Sequence, residues 1–365
     1  MNLTLIAQYA TDIIALLMLL GLLTKENLLN LHSKRFFKYS IFLTIIIIIA
    51  ELGSLAVDNQ GSSLKPLNQM FNIVGFSLTP LIPLMLIELF SQNVLKKHKF
   101  VFIPSILNAI AVLLSPWFGW IYKINIDNQY ERGSLFIIFV VVYIINILVL
   151  SHIVWLSGRK RFFPIKWKIL GLSLFTIVGT CIQLILPEVI SSWHVVTLAL
   201  FLLFILLSVF ENSFDALTGL FNRLAFEKAT STLSYKKPYT IILIDINHFK
   251  KTNDEHGHDT GDLALKEIAE VIKNSISYEL NGYRIGGDEF SLILETRDEI
   301  IISDYLNTIK CGLDERRKNN KMLPTISIGY SIHNGKKSLS FQDVYREADK
   351  HMYEDKKEQK KDIKH

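Results

Sequence analysis

The stretch GYRIGGDEFSLIL, Gly282 to Leu294, decides how this chain is read. Tyr283 to Ile285 and Phe290 to Leu294 alternate or run apolar, as half-buried strands do. Between them stand Gly286 and Gly287, then two adjacent carboxylates, Asp288 and Glu289. Without a Cβ, Gly286 and Gly287 are expected to adopt backbone angles that other residues resist, and a turn of bare backbone beside paired negative charge suits a hard cation and a bulky anionic ligand. Taken alone, the four residues fit an ordinary solvated hairpin turn equally well. The rest of the chain has to choose between these readings.

Working outward, the composition splits near residue 210. The 365-residue chain is 50% hydrophobic, with a mean hydropathy of +0.31, too apolar for a wholly soluble protein. Residues 1–210 carry 15 Lys and Arg against 8 Asp and Glu, and residues 211–365 carry 24 against 26. The basic excess thus belongs to the apolar half, where membrane loops account for it. It gives no argument for nucleic-acid binding. The two cysteines, Cys181 and Cys311, have no metal or disulfide spacing and read as reduced packing residues.

Seven stretches are long and apolar enough to span a bilayer: 4–23, 39–57, 70–91, 100–120, 134–156, 168–187 and 194–211. The first lacks a basic start, contains Asp12 and is followed by no small-residue cleavage pattern, so it reads as a span rather than a leader. Alternate loops hold 12 Lys and Arg (Lys25, Lys34, Arg35, Lys38; Lys96, Lys97, Lys99; Arg159, Lys160, Arg161, Lys166, Lys168). The other loops hold 3 (Lys65, Lys123, Arg132). This bias predicts a multi-pass protein of the cytoplasmic membrane, with the N-terminus outside and residues 212–365 in the cytosol. Pro80 and Pro83 predict a kink in the third span. Asp12, Glu51, Glu88, His152 and Gln183 lie in or near spans, where ionisable and polar groups are costly. Asp12 and Glu51 either line an outward-facing pocket for a small ligand, or pair between helices or snorkel to the interface.

Residues 212–365 read as an α/β domain with a central sheet of mixed direction. Helices are expected over about 221–233, 247–253, 260–276, 302–318 and 341–357, and strands over 239–246, 281–286, 289–295 and 324–332. Asp245 ends the first strand, where ligands gather in α/β sheets. If that strand neighbours the hairpin, Asp245 and Asp288 share one edge and suit Mg²⁺. The segment DINHFKKTNDEHGHDTGD, residues 245–262, adds Lys250, Asn253 and Asp262, side chains able to meet phosphates and the donor and acceptor edges of a guanine.

At this point the chain resembles the GGDEF family of diguanylate cyclases over about 213–361. Five segments carry the resemblance in order: DALTGLFNR (215–223), residues 245–262, GGDEF itself (286–290), TISIGYS (325–331) and READKHMYEDKKEQKK (346–361). The resemblance implies a nucleotidyl-cyclase-like fold and the condensation of two GTP molecules into cyclic di-GMP with release of two pyrophosphates. It implies Mg²⁺, or Mn²⁺, held by Asp245, Asp288 and the carbonyl of Ile246. Backbone amides up to Phe249 would cradle phosphates, and Lys250, Lys356 and Lys360 would neutralise them. Asn253 and Asp262 would read guanine, and Gly286 and Gly287 would let substrate approach. Asp288 would assist deprotonation of the attacking hydroxyl, with Glu289 supporting a metal or the loop. Arg284 and the DALTGL segment would position rather than react. Each domain would bind one GTP, so catalysis would need a homodimer. The alternative reading is a silent GGDEF domain that binds GTP or a protein partner.

Three departures from the family pattern stand out. Asn247 replaces a frequent Asp, and Gln359 with Lys360 replaces a usual Gly and Arg. Ser277 and Leu280 stand where the family's R-x-x-D inhibitory site would lie, which predicts little product inhibition. Seven spans with the N-terminus outside also resemble the seven-helix regions ahead of bacterial signalling enzymes, some histidine kinases among them. The last span ends near Phe210 and the first motif begins at Asp215, so the membrane half (1–211) is expected to act as sensor and anchor. It would couple into the cyclase domain (212–365) without a stalk.

Overall fold

The computed structural model describes residues 3–25, 29, 31–91, 93–158, 166–186, 192–275, 281–335 and 339–362. They form two compact units, Met1–Glu211 and Asn212–His365.

The first unit is helical: α1 (Leu3–Lys25), α2 (Leu31–Val57), α3 (Lys65–Leu78), α4 (Leu81–Phe90), the short α5 (Val94–Lys97) and α6 (Ile103–Phe118). A small antiparallel hairpin follows, β1 (Tyr122–Ile124) with β2 (Tyr130–Arg132), and then α7 (Phe136–Gly158), α8 (Lys166–Ile185) and α9 (Ser192–Glu211). Among the described residues, seven segments are long and apolar enough to cross a membrane: 4–25, 31–57, 62–90, 99–118, 136–156, 166–185 and 192–211. The second begins earlier than the hydropathy pattern suggests, because Lys34, Arg35 and Lys38 ride on the first turns of α2 rather than in a loop. Arg159, Lys160 and Arg161 lie outside the described residues.

Burial in this unit is inverted relative to a soluble core. Leu17, Met18, Phe42, Ile49, Leu174 and Ile205 are exposed, whereas Asn68, Asn108, Asn146 and Glu88 are buried. Lipid would cover the apolar faces, and polar side chains bind the helices to one another. The third span breaks between α3 and α4 at Thr79 and Pro80. Proline has no N–H for the Phe76 carbonyl one turn back, and Asn108 on α6 donates to that carbonyl at 2.9 Å instead. Asn146 on α7 donates to the Pro80 carbonyl at 2.7 Å.

The costly carboxylates are paired between elements, as one of the readings left open from sequence has it. Tyr9 on α1 donates to Glu51 on α2 at 2.8 Å, and Trp193 on α9 donates to the same carboxylate. Asp12 on α1 pairs with His194 on α9 at 2.5 Å. Glu88 at the end of α4 meets His32 at 2.7 Å and accepts from the amides of Asn93 and Leu95.

The second unit contains α10 (Arg223–Ser231), β3 (Tyr239–Ile246), α11 (Phe249–His256), α12 (His258–Ser275), β4 (Asn281–Arg284), β5 (Glu289–Leu294), α13 (Glu299–Asn319), β6 (Ile326–His333) and α14 (Phe341–Asp362). The sheet order is β4-β5-β3-β6. Its three ladders are antiparallel, and a parallel bridge from Phe221 to Tyr283 makes it mixed. β3 is central and buried throughout. Its side chains alternate as a two-faced strand requires. Ile242, Ile244 and Ile246 join the core beneath α12 and α13. Tyr239, Ile241 and Leu243 join the core shared with α10 and α14. Gly329 on β6 allows α14 to lie against the sheet, since a Cβ there would stand 2.1 Å from the Met352 nitrogen and 2.2 Å from the Ala348 carbonyl.

Candidate active site

β3 and β5 are neighbours, with Asp245 directly opposite Glu289. The Ile246 amide donates to the Asp288 carbonyl at 3.1 Å. The end of β3 and the start of β5 therefore bring Asp245, Asp288 and Glu289 to one sheet edge. Strand parity puts Asp245 on the face with Ile241 and Leu243, which α14 covers. Lys356 reaches from α14 and donates to the Asp245 carboxylate, and Asp245 itself is buried.

The two neighbouring aspartates oppose the ionisation of Glu289. The Glu289 pKa is raised, first by partial burial, then by Asp288, Asp245 and Asp349, with Lys356 working in the opposite direction. This excess of hard, negative oxygen fits a divalent cation, and a side-chain ammonium already sits on one member. Asp245, Asp288 and the Ile246 carbonyl would be its donors. Among the described residues, no three His, Cys, Asp or Glu side chains could hold a metal on their own. Remaining positions would fall to water and phosphate oxygens, as Mg²⁺ prefers.

The turn is held from outside the signature. The Arg284 guanidinium donates twice to the Gly287 carbonyl, at 2.7 and 3.2 Å, and once to Asp215 at 3.1 Å. Asp215 also accepts from the amide and hydroxyl of Thr218, at 2.8 and 2.6 Å. Burial pushes its pKa upward, but the Thr218 and Arg284 contacts outweigh this and hold the carboxyl below its ordinary value. Arg284 and the DALTGL segment thus form one brace behind the turn. The expectation that Gly286 and Gly287 supply special backbone angles is corrected. Neither adopts a positive φ. Gly286 is needed for space, since a Cβ would lie 2.6 Å from a Glu289 carboxylate oxygen, while Gly287 faces open space and leaves bare backbone.

After β3 the chain turns through His248, which takes the left-handed conformation at φ 56°. No side chain caps α11, so its first-turn amides, from Phe249 on, are open to solvent or an anion. Lys250 is exposed beside them, and Phe249 is half-buried. Asn253 lies against the start of α12. A Cβ on Gly261 would meet its Oδ1 at 1.8 Å, and that oxygen is buried without a hydrogen-bond partner. Asp262 is exposed one residue beyond Gly261. Lys360 lies on α14, but its side chain, like Ser277 and Leu280, lies outside the described residues. Sequence reading missed Gly261, Asp349 and the contacts of Asn247. The i, i+4 spacing of Asp355 and Gln359 was the available signal for those contacts.

Residues 212–362 match the family described as "Diguanylate cyclase, GGDEF domain". The chain is similar to the "Probable diguanylate cyclase DgcT" of Escherichia coli (strain K12), 33% identical over 179 residues, 46% of this chain and 39% of that one. It therefore spans well under half the length of that relative. It is also similar to an uncharacterized membrane protein of Staphylococcus aureus (strain USA300), 25% identical over 292 residues, 76% of this chain and 72% of the other. Among solved structures, the GGDEF domain of DgcB from Caulobacter crescentus in complex with c-di-GMP covers 40% of this chain and 90% of its own. It is 29% identical, with a TM-score of 0.36.

Proposed function

We propose, from the GGDEF domain that residues 212–362 form behind seven apolar helices, that the protein is a membrane-bound diguanylate cyclase. It joins two GTP molecules into cyclic di-GMP and releases two pyrophosphates. The observation that carries this reading is the convergence of Asp245, Asp288 and Glu289 on one sheet edge.

Each domain binds one GTP. Asn253 and Asp262 receive guanine, where the unpartnered Asn253 Oδ1 accepts a base N–H. The α11 amides, Lys250 and Lys356 take the phosphates, with Lys360 adding charge. Asp245, Asp288 and the Ile246 carbonyl would hold Mg²⁺, which would neutralise phosphate charge and stabilise the leaving pyrophosphate. Two domains face each other about a two-fold axis. The 3′-oxygen of one GTP forms a bond to the α-phosphorus of the other, while the bond to the β-phosphate oxygen breaks. Asp288 takes the hydroxyl proton, and the same attack in reverse, by the second nucleotide's 3′-oxygen on the first nucleotide's α-phosphorus, closes the ring and releases the second pyrophosphate. Positioning supplies most of the acceleration. The helical unit anchors the domain on the cytosolic side and sets the dimer, so an external signal would act through dimer geometry.

The test is full-length protein in nanodiscs with GTP and Mg²⁺, comparing wild type with Asp288→Ala by chromatography of products. Cyclic di-GMP from wild type alone is expected. GTP binding without product would favour a silent nucleotide-binding module.

A further inference from the structure

Two positions at which this chain departs from the family pattern, Asn247 and Gln359, lie far apart in sequence and touch in the fold. The Asn247 side-chain amide donates to Gln359 Oε1 at 2.8 Å. Asn247 is buried, and its other bonds are complete. It donates to Thr325 Oγ1 at 3.0 Å, accepts from Ser327 Oγ at 2.8 Å, and gives its backbone N–H to the Thr325 carbonyl at 2.8 Å.

The direction of each bond is fixed by its partners. Gln359 Nε2 faces the Ile326 carbonyl at 2.9 Å and the Asp355 carboxylate at 3.0 Å, both of which only accept. Its NH₂ group must therefore point there, and its oxygen must point at residue 247. Residue 247 must then be a donor. An aspartate at 247 would set oxygen against oxygen. Turning the Gln359 amide round would only move the conflict to Ile326 and Asp355. Asp355 is itself fixed, accepting from the Ile328 amide at 2.8 Å. The network ties the last turns of α14 to the end of β3 and the start of β6, and Lys356 lies within those turns, on Asp245.

We infer that Asn247 and Gln359 are a matched pair of positioning residues that lock α14, and with it Lys356, over Asp245. Neither touches the reacting atoms. An aspartate at 247, which by sequence alone restores the common family residue, is incompatible with this chain's Gln359 and tolerated once that side chain is removed. The effect on activity rests on the cyclase reading, whereas the effect on α14 does not.

The experiment is a double-mutant cycle in the full-length protein in nanodiscs, using Asn247→Asp, Gln359→Ala and the double variant. Hydrogen exchange across residues 352–359 reads the docking of α14, and steady-state kinetics separate KM for GTP from kcat. With Gln359 present, N247D is expected to speed exchange and raise KM, each by about tenfold, while kcat changes by less than about twofold. In the Gln359→Ala background, N247D should change exchange and KM by less than about twofold. The pair N247D with Gln359→Lys supplies donors to all three acceptors and should recover protection and KM, keeping the test decisive if N247D alone folds poorly. Equal effects of N247D in both backgrounds, or none in either, overturn the inference. A wild type that makes no dinucleotide refutes the cyclase reading, and the exchange cycle then decides the pairing by itself.

Discussion

Lys356 on α14 and Asp245 at the end of β3 are joined by a hydrogen-bonded ion pair. The ammonium balances a carboxylate that is 8% exposed. Removing it by Lys356→Ala leaves that charge uncompensated. A loss of about 1–3 kcal/mol in stability is expected without metal. Added Mg²⁺ should restore more of the melting temperature in K356A than in wild type. The kcat/KM for GTP should fall on the order of 10²-fold. Thermal melts with and without MgCl₂ check the first part, and an unchanged Mg²⁺ response would contradict it.

Glu289 gives a pH signature. Burial and its acidic neighbours raise its pKa, so the folded state binds this proton more tightly than the unfolded chain does. That contribution is fully present below the ordinary carboxylate pKa and is lost as pH rises through the raised value. Glu289→Gln cannot ionise. In metal-free melts it should flatten the decline in stability from the ordinary carboxylate range towards neutrality. At pH 7 it should melt on the order of 2 °C higher, a small gain because the side chain is largely solvent-screened. Parallel pH profiles for wild type and E289Q would remove this reading.

Much of this was legible in the sequence because strand chemistry is local. YTIILIDI could only be a two-faced buried strand, and the hairpin around Asp288 could only pair beside it or beyond it. The pairing of Asp245 with Glu289 followed once β3 and β5 were neighbours. The brace from Arg284 to Asp215 was foreseen as positioning but not as geometry, since it joins loops far apart in the chain. Asn247 read only as a departure from a frequent Asp because its partner sits on α14, and the i, i+4 spacing of Asp355 and Gln359 does not by itself point back to β3. Glu51 illustrates the same limit in the helical unit. A lone carboxylate in an apolar span is ambiguous until Tyr9 and Trp193 are seen to donate to it.

Gly261 tests the placement of Asn253. Alanine suits a helix interior better than glycine, by about 1 kcal/mol, so Gly261→Ala should not destabilise α12 itself. Its Cβ, however, would lie 1.8 Å from Asn253 Oδ1 and 2.9 Å from the Asn253 Cγ, forcing the side chain away. If Asn253 receives guanine as proposed, KM for GTP should rise by about tenfold while kcat falls much less, since base binding rather than phosphoryl chemistry would be disturbed. A variant with wild-type KM would show that Asn253 does not need this position to bind substrate.

Glu51 receives two donors, from α1 and from α9, and α9 ends at Glu211, directly before the residues, 212–362, that match the GGDEF family. Tyr9→Phe and Trp193→Phe each remove one donor and leave a half-buried carboxylate under-partnered. Each should cost about 1–3 kcal/mol, read as a lower melting temperature of the full-length protein in detergent. Glu51→Gln keeps an oxygen to accept from both rings without a charge, so it should melt no lower than wild type. In the Glu51→Gln background, Tyr9→Phe should cost less than it does beside Glu51, because the group left short of a partner is neutral. If Y9F costs the same in both backgrounds, the stabilisation comes from aromatic packing and not from satisfying the carboxylate.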